Sequence, residues 1–113
     1  MDNRRRADRR RLRRVMRPIT VAFETDDIDG KGQIRCLSMV GMLVSCRDLP
    51  ECDDFVRVEF DDLTGQRVEL CGTVVSLRAR DGQLSKGETG FFMRVDADID
   101  AYLSFYHQVL TSG

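Results

Sequence analysis

The sequence holds a single histidine, His107, and no C-x-x-C pair among its four cysteines. A zinc site built on the usual ligand spacings is therefore not expected. There is no nucleophile elbow, and no glycine-rich loop opens onto a helix to cradle phosphate, so no active site is expected. The longest apolar stretch is far too short to cross a bilayer, and no secretory apolar core follows the first residues. Those absences predict a soluble, cytosolic protein without membrane insertion. In that setting Cys36, Cys46, Cys52 and Cys71 read as free thiols, mostly buried. Lysine is missing where positive charge is densest: residues 1–17 carry nine arginines and no lysine.

What is present is a charge split. The net charge of −1 over 113 residues conceals nine arginines against two aspartates in residues 1–17, which is +7. Nine basic and seventeen acidic residues follow in 18–113, which is −8. A chain of this length makes one domain. It divides into a flexible basic arm, 1–17, and a body, 18–113, and such an asymmetry points to an anionic partner for the arm. Arginine forks onto phosphate and onto the O6/N7 edge of guanine, and it stacks on rings, so an all-arginine arm favours a shaped site over a diffuse charge cloud. The carboxylates cluster in turns, where aspartate accepts local backbone bonds.

From Pro18 onward the apolar pattern has period two and is cut by glycine- and aspartate-rich turns, which reads as a small antiparallel sandwich or barrel. A first strand alternates Ile19, Val21 and Phe23 with Thr20, Ala22 and Glu24, and a turn follows through Asp26, Asp27, Asp29, Gly30 and Gly32. Strands are then predicted at Gln33–Leu37, Met42–Cys46, Val56–Phe60, Arg67 to about Arg80, and Phe91–Val95. Ser38–Gly41 breaks the second from the third, Asp61–Gln66 is a hairpin, and Asp81–Gly90 is an exposed loop. The period then changes to three and four. Ile99, Tyr102, Leu103, Tyr106, Val109 and Leu110 mark one stripe of a helix over 98–110, read as a lid on the barrel, with Asp98 or Asp96 as its cap.

Two stretches taken together carry a resemblance. Asp8-Arg9-Arg10-Arg11-Leu12-Arg13-Arg14, followed after a strand and turn by Cys36-Leu37-Ser38-Met39-Val40-Gly41, resembles the two-part signature of the PilZ domain, R-x-x-x-R then [D/N]-x-S-x-x-G. The resemblance covers essentially the whole chain. It implies an all-β fold, a six-stranded antiparallel β-barrel (a PilZ-like split barrel) with a C-terminal α-helix. It implies a bacterial second-messenger receptor that binds cyclic di-GMP, without a cofactor, and not an enzyme.

Arg9 with Arg13, Arg10 with Arg14, and Arg13 with Arg17 all satisfy the first spacing; we prefer Arg10 and Arg14, with Arg9 before them. Ser38 would offer a hydroxyl, and Gly41 a close backbone approach to a base. Cys36 departs from the family pattern, standing where a carboxylate or amide accepts from a guanine edge. One lost bidentate base contact costs about 1–3 kcal/mol. Ser76 falls near a strand position where many members place a large residue against the ligand. The expected output is an arm ordered by ligand that alters an unidentified protein partner, in motility or biofilm regulation. The alternative is a degenerate PilZ adaptor that works through protein contacts alone. Sequence-blind nucleic-acid binding is opposed by the acidic body, so no specific nucleic acid is expected.

Overall fold

The computed structural model describes residues 12–79 and 82–112. Six strands, β1 (Arg13–Glu24), β2 (Asp29–Leu37), β3 (Gly41–Cys46), β4 (Phe55–Asp61), β5 (Arg67–Ser76) and β6 (Gly90–Ala97), precede one helix, α1 (Ile99–Thr111). All pairings are antiparallel and the sheet closes on itself in the order β1-β2-β3-β6-β5-β4. Closure leaves no open edge. The expected barrel with a C-terminal helix is the fold observed.

Alternation does what the sequence predicts on β4: Val56, Val58 and Phe60 turn inward while Arg57 and Glu59 face solvent. They join Val21, Phe23, Ile34, Met42, Val44, Leu70, Val74, Phe91 and Met93 in one core. The Phe23 and Phe91 rings meet edge to face with centroids 5.2 Å apart. At full burial each such side chain contributes about 1.5–3 kcal/mol of transfer free energy.

α1 closes the barrel by packing against β5 and β6. Its buried residues are Tyr102, Phe105 and Tyr106, with Val109 half-buried against the core. Phe105, whose ring lies 4.6 Å from that of Phe60, replaces part of the predicted stripe, since Ile99 and Leu110 stay 49% and 42% exposed. Asp98 takes the N-cap position but caps nothing with its side chain. Its left-handed backbone (φ 61°) departs from the extended conformation in which a cap carboxylate reaches the first amides. Asp96 instead accepts from Thr73 Oγ1 (2.6 Å) and Arg94 Nε (2.7 Å).

Most strand limits fall within one or two residues of the sequence reading, and three differ by more. β2 starts at Asp29, because Thr25 makes the preceding turn by itself: its amide donates to the Ile28 carbonyl, and its Oγ1 accepts from the amides of Asp27 and Ile28. Gly32 is therefore a strand residue, one at which a Cβ would lie 2.2 Å from the Ser45 carbonyl oxygen. β5 ends at Ser76 rather than near Arg80, since Ser76 Oγ accepts the Arg78 amide (3.1 Å) and turns the chain. β1 begins at Arg13, so the last arginines of the basic stretch lie in the sheet. Its pairing jumps from Arg14↔Cys36 to Ile19↔Ile34, and the bulge between them contains Pro18, which has no amide to give the ladder. All four cysteines are free, but only Cys36 is fully buried; Cys46 and Cys71 are half-buried and Cys52 is exposed.

Candidate functional site

The first pairings of β1 with β2 bring the two predicted motif halves side by side: Arg14 is the cross-strand partner of Cys36, and Arg13 that of Leu37. Arg9 and Arg10 lie outside the described residues. Arg14 is exposed and donates from Nη1 to the Gly82 carbonyl (2.9 Å). Cys36 is 2% exposed, and its thiol donates to the Gln83 carbonyl (3.7 Å). Burial raises the Cys36 pKa, opposed by the charges of Arg14 and Arg35, so the group is a neutral thiol and a weak donor.

Ser38 and Gly41 build a closed turn. Ser38 Oγ accepts the amides of Val40 (3.2 Å) and Gly41 (3.3 Å), and the Ser38 amide donates to the Gly41 carbonyl (2.9 Å). The Tyr102 hydroxyl of α1 lies 2.6 Å from the carbonyl oxygens of both Ser38 and Gly41. Burial pushes that phenol far above its ordinary range, so it stays a donor. Gly41 is pressed onto β6, where a Cβ would fall 1.9 Å from the Met93 carbonyl oxygen. Ser38 is itself buried, so its hydroxyl and the missing Gly41 side chain are spent on the turn, whose tip exposes Met39 and Val40. Ser76 lies half-buried on β5 opposite Phe92, at the far end of the cross-strand row that runs from Arg14 through Cys36, Leu43 and Phe92.

Sequence reasoning missed five residues around this pair. Arg35, between Ile34 and Cys36, donates from Nε (3.2 Å) and Nη2 (2.6 Å) to Glu88 Oε2. The other carboxylate oxygen of Glu88 accepts the Ser85 amide (2.7 Å). Burial acts to raise the Glu88 pKa, but the bonds from Arg35 and Ser85 outweigh it and the net shift is downward. With Gly82 and Gln83, these residues tie the segment expected as a freely exposed loop onto the β1–β2 end of the barrel.

A groove elsewhere, over β1, β2 and β4, is lined by Phe23, Glu24, Asp29, Lys31, Arg57 and Glu59. Of these, Arg57 and Glu24 pair across the sheet at 3.0 Å. Among the described residues no cluster of metal-ligating side chains occurs, and no helix is long and apolar enough to cross a membrane.

Comparison with known proteins decides the family. The model of the PilZ domain matches residues 3–105. The chain belongs to the PilZ domain family. PilZ domains are cyclic di-GMP-binding receptor modules, and the matched region takes in the basic stretch, the barrel and most of α1.

Solved structures show the same fold. The PilZ domain of CeSA from a cellulose-synthesizing bacterium is 22% identical, with a TM-score of 0.57 over 87% of this chain and 95% of that one. The PilZ domain of YcgR from Escherichia coli, solved with c-di-GMP, is 14% identical, with a TM-score of 0.65 over 91% and 90%. The Bacillus subtilis inhibitor of motility MotI/DgrA is 10% identical, with a TM-score of 0.67 over 90% of this chain and 49% of that one. No curated protein matches the chain.

Proposed function

We propose that this PilZ domain is a cytoplasmic receptor for cyclic di-GMP. The dinucleotide is held between the basic N-terminal stretch (Arg9, Arg10 and Arg14) and the barrel end at Cys36, Ser38 and Gly41. The observation that carries this reading is the cross-strand pairing of Arg14 with Cys36, which joins the two signature halves at one place on the surface. The ligand offers two phosphates and two guanines, and guanidinium groups fork onto either. Ser38 and Gly41 serve the site by shaping the turn that follows Cys36. Binding gathers the arginines against the barrel, and the altered surface engages a protein partner in motility or exopolysaccharide control.

Calorimetric titration tests this. Saturable binding selective over GMP and linear dinucleotides is expected. Arg14→Ala should weaken it about 10- to 150-fold, the loss of charge-assisted bonds worth about 1.5–3 kcal/mol. Equal affinity for any polyanion overturns the reading. A second reading, an adaptor without nucleotide, is favoured by one observation: at position 36 a buried neutral thiol stands in place of an acceptor.

A further inference from the structure

The barrel half of the site does not stand open. With Cys36 2% exposed and its thiol against the Gln83 carbonyl, no base edge reaches position 36 while residues 82–84 stay in place. The neighbouring Arg14 guanidinium is engaged by the adjacent carbonyl, that of Gly82. A third contact fastens the same segment to the same end of β2, through Arg35 and Glu88, whose side chains are only 18% and 23% exposed. We propose that residues 82–88 are a strap that closes the barrel half of the ligand site, and that the Arg35–Glu88 pair is the latch that sets how much affinity closure costs. This inference rests on the receptor reading.

The three contacts are unequal in a way that fits a strap. A phosphate competes well for Arg14, because it adds an opposite charge and can take two of the guanidinium donors at once, where the Gly82 carbonyl takes one. The thiol–carbonyl bond is weak from the start. An anionic dinucleotide therefore replaces the first two contacts at a gain. The latch is different, because the Arg35 cation already has a carboxylate on two of its donors, and that carboxylate is braced by the Ser85 amide. The downstream end is fixed, since the Cys46 amide donates to the Thr89 carbonyl (2.9 Å) and Thr89 Oγ1 to the Cys46 carbonyl (2.6 Å). Apparent affinity is then the intrinsic affinity multiplied by the fraction of molecules with the strap lifted.

The test uses the full chain, wild type against Glu88→Gln and the charge-swapped Arg35→Glu/Glu88→Arg double variant, with equal thermal midpoints as the folding control. Amide hydrogen exchange over 82–88 without ligand should quicken about three- to tenfold in Glu88→Gln, and cyclic di-GMP affinity should tighten by the same factor. The swapped pair should return both toward wild type. If wild type binds and Glu88→Gln binds equally or more weakly, the strap is overturned while the receptor stands, since the segment is then a wall of the site or a bystander. Unchanged exchange in Glu88→Gln overturns the latch whatever the affinity does. No binding by either protein overturns the receptor reading and the strap with it.

Discussion

Two segments flank position 36 and are held in opposite ways. The Ser38–Gly41 turn draws its bonds from itself and from the core side of the fold: its own hydroxyl and amides, the Tyr102 hydroxyl, and the Val95 amide, which donates to the Val40 carbonyl. The 82–88 segment is tied instead to Arg14, Arg35 and Cys36, side chains on the proposed ligand face. The first has no bond that an anionic ligand would take over, and the second has two. A binding surface with one wall bolted to the core and one tied to its own ligating groups can respond to ligand without disturbing the barrel.

The sharpest way to break this contrast is Gly41→Ala. The new methyl group meets backbone atoms of Met93 and Arg94 that no rotamer change can move. Forcing β3 from β6 should cost about 3 kcal/mol or more, at the severe end for point mutants, and lower the thermal midpoint by at least about 10 °C. A smaller effect is expected of Cys36→Asp. It restores an acceptor to the site and also sets a carboxylate against the Gln83 carbonyl, so titration should show affinity for cyclic di-GMP rising about 5- to 150-fold. Exchange over 82–88 should quicken in the same protein, while amides 38–41 stay protected. Tyr102→Phe should do the reverse. Loss of a buried hydroxyl shared by two carbonyls destabilises by about 1–3 kcal/mol, seen as a lower denaturation midpoint, and leaves the strap's exchange unchanged relative to the barrel.

How far the sequence disclosed all this follows from the kind of signal each part emits. β4 was legible because alternate side chains must choose core or water, and Val56, Val58 and Phe60 spell the choice. α1 was legible as a helix but not in its rotation. It carries two adjacent apolar stripes, and periodicity alone does not say whether Phe105 or Leu110 faces inward. Gly32 resembled a turn because close approach to the Ser45 carbonyl and a left-handed turn both ask for glycine. Within the site, Arg14 and Cys36 announce themselves by residue type and spacing. Gly82 and Gln83 do not, because they contribute backbone carbonyls, which every residue has, from 68 and 47 positions away along the chain.

The smallest expected effect separates a segment tied to the proposed ligand face from a hairpin held by its own turn and by Gln108 of α1, using acid. In the 62–66 hairpin, Asp62 accepts the Thr64 hydroxyl (2.7 Å) and the amides of Thr64 (2.8 Å) and Gln66 (2.9 Å). The bond from the Thr64 hydroxyl leads the causes that hold its carboxyl at about 2, below the usual 3.8; burial opposes it, and the bonds from Gln66, Gln108 and the Thr64 amide add to it. Glu88 is also held below its ordinary 4.5 by Arg35 and Ser85, after burial has worked the other way. Both folded pKa values are depressed, so each group's contribution is complete above its ordinary pKa and is lost as pH falls through the folded one. Glu88 starts from the higher ordinary value and depends on a partner across the barrel end, whereas Asp62 is served mainly by its own turn. Carboxyl titration by NMR with exchange followed from pH 6 down to 2 should therefore show residues 82–88 loosening first, while the hairpin keeps its amides protected until the pH approaches 2. Simultaneous loosening of both would mean that the strap is no more separable from the barrel than the hairpin is, and the contrast between a fixed wall and a movable one would fail.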